Sequence, residues 1–397
     1  MILLTFLGTG NYQETTYKID DKEYRTPFIQ EVLVKHFKID EVIVYATPEV
    51  KEHKNLNELK NLLNNLNVRI NVVDIPNVEE EKDLWTLFKN IYESVPKEKE
   101  IILDITHSLR YLPFLGFLIL LFLKETKNIK ISGVYYGAYE VSRKLGYSPI
   151  IEVTKAIELS NWIFATKSLK EYGKADEFKN LINNKSFVNT LINLSNSIYY
   201  NHNLWTLEKA NELNNKKKLI EEISSNLPPV EYLKEDIFSF TDFGYKIRRR
   251  NNISELNKDI LIKLFKVAEY QYSIELIPQF YQSIREWIID YILYLANLTD
   301  NWLDYENSRM IAENAIYKLI DENKKIDNNI KEEVTQIEKI ILEKGIKEDL
   351  VRAWNLIQNT RNTLSHAGRR KNLENLNNYK ENAKEIINIC KKLLEKI

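Results

Sequence analysis

The 397-residue chain has a single cysteine, Cys390, so it can form no internal disulfide and no Cys-based zinc site, and a reducing cytoplasm is the expected setting. Glycine and proline are scarce, at 10 and 9 residues, which disfavours loop-rich architectures and leaves room for long regular helices. Neither sign of charge is in excess, with 56 basic against 57 acidic side chains, so any polyanion binding must come from a local patch rather than from net charge. No apolar run reaches the roughly 20 residues that a membrane helix requires. The longest, Leu112–Leu123, reads as a buried crossover helix, and no membrane partner is expected. Nor does a secretory signal open the chain, because Met1-Ile2-Leu3-Leu4 runs directly into an apolar strand.

What is present has two characters. Ile2–Leu7, Glu41–Ala46, Val68–Ile75, Ile101–Ile105 and Ile129–Tyr136 are short, β-branched and apolar, as strands covered on both faces should be. Stretches of helical length separate them: Pro27–Phe37, Leu56–Leu66, Glu80–Val95 and Leu109–Lys124. The alternation predicts an α/β domain over residues 1–150, with a doubly wound parallel sheet of Rossmann-like kind whose ligands bind beyond the carboxyl ends of the strands. Beyond it the strand signal fades. Thr154–Glu171, Phe187–Leu207 and Lys217–Ile223 are helical in style, and Asn226-Leu-Pro-Pro-Val-Glu reads as a linker or turn. A second helical block follows, with Ile274–Leu295, Ser308–Asn323, Asn329–Glu343, Lys347–Ala367 and Leu373–Glu395. The expected order is therefore α/β, a helical linker over 151–255 and an all-α domain over 256–397.

Four strand-end loops carry ligand-compatible chemistry. Gly8-Thr9-Gly10-Asn11 follows the first strand; its glycines admit close backbone approach, and Thr9 and Asn11 can bond phosphate or ribose. Gln13 stands where a dinucleotide fingerprint would have its third glycine. After the fourth strand, Thr106, His107, Ser108 and Arg110 gather at a helix start, where free N–H groups favour anions. An arginine there opposes the helix dipole, which argues for a ligand rather than for capping alone. After the fifth strand, Tyr135-Tyr136-Gly137-Ala138-Tyr139-Glu140 offers aromatic faces and a carboxylate, and Thr47-Pro48-Glu49 adds a polar element after the second.

A different chemistry lies near the end of the chain, in Arg361-Asn362-Thr363-Leu364-Ser365-His366. On a helix, Arg361, Ser365, Asn362 and His366 fall at roughly 0°, 40°, 100° and 140° around the axis. The apolar seam of the same helix, Leu350, Ala353, Trp354, Ile357 and Leu364, borders Arg361. RNA carries its own nucleophile in the 2′-hydroxyl, so a cleaving enzyme need only orient it, move two protons and stabilise an oxyanion. Arg361 can clamp the phosphate, His366 can act as base or acid, and Asn362 can position ribose or histidine. Such a site needs no metal and no cofactor. One helix supplies one histidine, so the opposite proton transfer is expected from a two-fold mate. Lys246, Arg248, Arg249 and Arg250 form a basic run that could track an RNA backbone.

The loops Gly8-Thr9-Gly10-Asn11-Tyr12, Leu103–Arg110 and Gly133–Glu140 resemble those of CRISPR-associated Rossmann-fold (CARF) domains. The block with Arg361, Asn362 and His366 resembles the higher eukaryote and prokaryote nucleotide-binding (HEPN) ribonuclease domain, in which a histidine follows an arginine by a few residues, often with asparagine after the arginine. Together they resemble the CARF–HEPN ancillary ribonucleases of type III CRISPR systems. The resemblance implies a homodimer, or a higher oligomer, whose CARF domains bind a cyclic oligoadenylate, with cyclic tetra-adenylate favoured. Binding would switch on cleavage of single-stranded RNA at a composite HEPN site, leaving a 2′,3′-cyclic phosphate. By position it assigns Gly8, Thr9, Gly10, Asn11, Thr106, His107, Ser108, Arg110, Gly137 and Glu140 to the messenger, and Arg361, Asn362 and His366 to catalysis. A slow opening of the messenger in the same CARF site, with Thr9 or Asn11 on a ribose hydroxyl, would limit the response. Two other readings compete: a dinucleotide-dependent enzyme, which the missing third glycine opposes, and a ligand-sensing regulator that binds DNA.

Overall fold

A computed structural model of the protein describes residues 1–107, 109, 111–249, 252–365 and 375–397. The chain forms two compact units, Met1–Ser160 and Asn161–Ile397. The first runs β1 (Ile2–Phe6), β2 (Thr15–Ile19), β3 (Lys22–Thr26), α1 (Ile29–Phe37), β4 (Glu41–Ala46), α2 (Pro48–Glu52), α3 (Lys54–Asn65), β5 (Arg69–Asp74), α4 (Glu81–Ser94), β6 (Glu100–Asp104), α5 (Tyr111–Lys127), β7 (Lys130–Gly137), α6 (Ser142–Leu145) and β8 (Ser148–Glu152).

Strands β7-β6-β1-β4-β5 lie side by side and parallel, the doubly wound core expected from the alternation. The winding reverses between β1 and β6, so the loops that follow these two strands part and leave a crevice at their carboxyl ends. β1 is buried at every position and serves both faces. Leu3, with Val42, Val44 and Ile102, faces α1 and α3, while Ile2, Leu4 and Phe6, with Ile43, Tyr45, Ile101 and Leu103, face α4 and α5. This period-2 division is why the strands read as unbroken apolar runs.

The sheet extends further than the sequence suggests. β8 pairs antiparallel with β7, β2 pairs parallel with β8, and β3 closes the edge antiparallel to β2, for eight strands in all. The β2–β3 hairpin turns at Asp20-Asp21, with Asp20 at φ 51°, a conformation that aspartate tolerates. Only Tyr17 and Ile19 of β2 are buried, and the charged residues between them hide the strand pattern.

α7 (Lys155–Tyr172) leads from the first unit into the second. The second unit is helical: α8 (Lys185–Tyr199), α9 (Asn203–Asn214), α10 (Lys217–Asn226), α11 (Pro228–Ser239), a short hairpin of β9 (Arg248–Arg249) and β10 (Asn252–Ile253), then α12 (Lys258–Ser273), α13 (Ile277–Leu295), α14 (Met310–Ile320), α15 (Lys331–Glu343), α16 (Lys347–Ser365) and α17 (Leu376–Leu394). Two expectations change. The continuous helix over Phe187–Leu207 is two helices, because Asn201 takes φ 57° and turns the chain. The Pro-Pro segment expected as a linker starts α11, where proline loses no helical hydrogen bond in the first turn. One apolar core unites these helices around Phe280, Tyr281, Trp287, Tyr291 and Trp354. Among the described residues, no helix is long and apolar enough to cross a membrane.

Candidate functional site

The crevice of the first unit is organised by a buried carboxylate. Asp104, at the end of β6, accepts from the Thr5 hydroxyl (2.7 Å), from Gln30 Nε2 (3.1 Å) and from the Thr106 N–H (2.9 Å). Gln30 Nε2 also donates to Thr5 Oγ1 at 2.9 Å, so β1, α1 and β6 share one polar knot. Burial pushes the Asp104 carboxyl above its ordinary range, against the pull of His107 and its hydrogen-bond donors. Thr106 continues the chain of bonds by accepting from the Gly137 N–H at 2.8 Å, which ties the loop after β6 to the end of β7.

The loop after β1 folds over this knot. Tyr12 accepts from the Gly8 N–H at 2.8 Å, and its ring stacks on His107 with centroids 4.1 Å apart and planes 23° from parallel. Burial raises the Tyr12 hydroxyl to about 12 and lowers the His107 imidazole, the latter against the attraction of Asp104. His107 Nε2 is buried with no hydrogen-bond partner among the described residues. Asn55, at the start of α3 and only 1% exposed, donates to the carbonyls of Gly8 (2.9 Å) and Gly10 (2.8 Å) and so fixes the glycine loop from beneath.

The stacked pair borders two clefts. The larger, about 580 Å³, is lined by Gly8, Thr9, Gly10, Thr106 and His107, together with Thr47, Glu49, Asn77 and Glu79. The smaller, about 210 Å³, is lined by Asn11, Thr106, His107, Gly137 and Glu140, with Tyr12, Gln13, Tyr136 and Tyr139. All eight of the expected messenger residues that the structure describes therefore line one or both clefts. Ser108 and Arg110 lie outside the described residues. Glu49 is held by Thr47 (2.8 Å) and Asn77 (2.9 Å), and its own backbone N–H first, then these two bonds, keep its carboxyl below the usual range.

Several roles differ from the sequence reading. Gly137 is small for packing: a Cβ there would come within 2.6 Å of Ile29 Cδ1 and 3.0 Å of the Tyr17 ring. Tyr135 is buried against Phe37 (4.9 Å) and offers no free aromatic face, whereas Tyr136 and Tyr139 reach the smaller cleft. Tyr136 donates to Glu140 at 2.7 Å, and Tyr139 donates to Gln13 at 3.2 Å. Asn55 and Asn77 escape sequence reasoning because nothing local marks a loop residue that serves a strand end tens of positions away.

In the second unit, α16 buries Leu350, Ala353, Trp354 and Ile357 and leaves Arg361 and Asn362 half-buried at the edge of that seam. Arg361 lines a polar cavity of about 500 Å³ with Asn201, Asn203, Ser283, Glu286, Asp290 and Arg309; Asn362 does not. Its Nε is buried with no partner among the described residues. The neighbouring cation is fully engaged: Arg309 donates to Asp290 (2.6 Å), to Glu286 (2.7 Å) and to the Trp302 carbonyl (3.0 Å). Burial raises the Asp290 carboxyl to about 6, with the Arg309 charge pulling the other way. Asn201 accepts from Ser283 (2.7 Å) and Gln271 (2.9 Å), which seats the turn between α8 and α9 on the cavity wall. His366 lies outside the described residues. Among those described, no group of His, Cys, Asp or Glu is arranged to hold a metal ion.

A crevice at the switch point of a Rossmann-like sheet, joined in one chain to a helical unit, fits the class inferred from the loops. Residues 2–140 match the family described as "CRISPR system endoribonuclease Csx1, CARF domain", and residues 158–246 match "CRISPR-associated protein MJ1674, second domain". The particular relative is CRISPR-associated protein MJ1674 of Methanocaldococcus jannaschii, to which the chain is 24% identical over 302 residues. That alignment covers 61% of this chain and 47% of the relative, so the chain spans about half the length of the curated protein it matches. Enterococcus italicus Csm6 bound to cyclic hexa-2′-fluoro-hexa-dAMP superposes over 99% of this chain and 93% of its own, at 13% identity and a TM-score of 0.44. The resemblance to CRISPR-associated CARF proteins is thus borne out in the N-terminal unit by an independent match.

Proposed function

We propose that the protein is a ribonuclease switched on by a cyclic oligoadenylate, acting in CRISPR defence. The CARF match and the paired clefts around Tyr12 and His107 support the messenger half of this reading. Glycine-loop backbone, Thr9, Asn11 and Thr106 supply bonds to ribose and phosphate, and the tyrosines of the smaller cleft supply faces for adenine. Cyclic tetra-adenylate is the favoured ring. The observation that carries the nuclease half is Arg361, whose buried Nε has no partner among the described residues and whose side chain lines a polar cavity. A buried donor with no acceptor is costly, and a scissile phosphate would satisfy it.

In this mechanism Arg361 holds the phosphate and its developing charge, Asn362 orients the ribose, and His366 moves the proton on the 2′-hydroxyl. The leaving 5′-oxygen takes its proton from the histidine of a second copy. The product is a 2′,3′-cyclic phosphate with a 5′-hydroxyl, formed without a divalent ion. The second copy has a candidate seat in the first unit: α5 exposes Phe114, Leu118 and Phe122 in a stripe spaced by four. Such a stripe on a helix calls for a partner surface, and a homodimer supplies it. Arg361→Ala is expected to lower single-stranded RNA cleavage by about 100-fold or more while leaving messenger binding intact. Cleavage at the parent rate in that variant would overturn the assignment.

A further inference from the structure

The helical unit holds a second cleft that the nuclease reading leaves unused. It has a volume of about 200 Å³ and opens beside Trp205 on α9. His202 and Leu204 line both this cleft and the Arg361 cavity, so the two adjoin across a shared wall. Trp205 is 41% exposed and meets the His202 ring edge-on at 5.9 Å. Two cations border the indole, with the Arg248 guanidinium carbon 5.6 Å and Lys209 Nζ 5.0 Å from its centroid.

The charges around the indole are not equivalent. Lys209 is neutralised by Glu212 at 2.6 Å, and Glu208 accepts the Arg248 backbone N–H at 2.6 Å. Among the described residues no carboxylate pairs with the Arg248 guanidinium, which is exposed on the β9–β10 hairpin beside Lys246. Arg248 and Arg249 of the basic run that stands out in the sequence form β9, Lys246 precedes it, and Arg250 lies outside the described residues. An exposed indole beside a guanidinium that no described carboxylate pairs, next to the cavity that Arg361 lines, meets the needs of an unpaired nucleotide: a π-face for the base and a cation for the phosphate.

We propose that this cleft is a subsite for single-stranded RNA, in which a base lies on Trp205 and the adjoining phosphate is held by Arg248, leading the strand toward Arg361. The subsite rests on the ribonuclease reading for its purpose, though its binding chemistry is independent of cleavage. It would favour single strands over duplex, because only an unstacked base can reach the indole.

The test uses the full-length protein carrying Arg361→Ala, so that the RNA stays intact, and fluorescein-labelled single-stranded RNA followed by anisotropy over a salt series. Trp205→Ala should weaken binding about tenfold, and Trp205→Phe should recover most of the loss. Arg248→Ala should lower the slope of log affinity against log salt by about one. Thermal unfolding of each variant separates lost contact from lost fold, and Trp205→Phe keeps the test open if Trp205→Ala unfolds. Parent affinity and slope in both the Trp205 and Arg248 variants would overturn the subsite, as would equal affinity for duplex RNA. A protein with native Arg361 that binds single strands through Trp205 yet cuts none would remove the nuclease reading and leave the subsite standing. Messenger-dependent cleavage with binding untouched by Trp205→Ala would do the reverse.

Discussion

Asn55 shows how one side chain can decide the shape of a ligand loop. Its amide is the sole side-chain donor seen on the carbonyls of both Gly8 and Gly10 among the described residues, and it sits beneath the loop rather than in it. Asn55→Ala should cost about 1–2 kcal/mol of stability in urea unfolding, the worth of two hydrogen bonds, and should weaken cyclic oligoadenylate binding. Unchanged messenger affinity would show that the loop keeps its form without the clamp. Asp290 gives a pH test in the second unit. Its carboxyl stands at about 6 in the fold against 3.8 in an open chain, so the folded state holds its proton over a window in which the unfolded chain has released it. The Asp290 contribution is therefore fully present below about pH 4 and is lost as pH rises through about 6. The stability of the parent minus that of Asp290→Asn should shrink across this window. A difference that grows with pH would mean that the Arg309 ion pair outweighs the burial.

The same logic operates between elements. Gly116 lets α5 approach β1: a Cβ there would lie 2.7 Å from the buried Phe6 ring. Gly116→Ala should destabilise the protein by about 1–2 kcal/mol, since overpacking outweighs the gain in helix propensity, and calorimetry would read the loss. The outer side of α5 makes the opposite kind of claim. Leu118 is 46% exposed between Phe114 and Phe122, and if the proposed homodimer forms there, Leu118→Asp should leave only monomer in sedimentation, with the fold retained. The elements themselves were largely legible. Five parallel strands read directly because they are covered on both faces and need uniform apolar residues. The three strands at one end of the sheet, β2, β3 and β8, did not, since each buries few side chains and β2 and β8 find each other only across the length of the unit. α11 was hidden by its prolines, which mark a turn and a helix start equally well.

Across the whole molecule, the residues that line the candidate clefts were legible to different depths. The glycines, Thr106 and His107 could be found because they follow strands, and the fold places ligands there. Tyr135, named with them, proved to be core, since alternation along a strand sends neighbouring side chains to opposite faces. Asn55, Glu286, Asp290 and Arg309 were invisible, because a polar residue on a helix announces no partner until tertiary structure supplies one. Messenger-switched cleavage requires two states of the protein that differ in affinity for the messenger, with the one that binds it more tightly competent to cut RNA. The most direct measurement is cleavage of labelled single-stranded RNA by the purified full-length protein in EDTA, with and without each cyclic oligoadenylate. The account predicts cutting that depends on the messenger, ends in a 2′,3′-cyclic phosphate, and disappears in Arg361→Ala and His366→Ala. Cutting that ignores every cyclic oligoadenylate, or that persists undiminished in both variants, would contradict it.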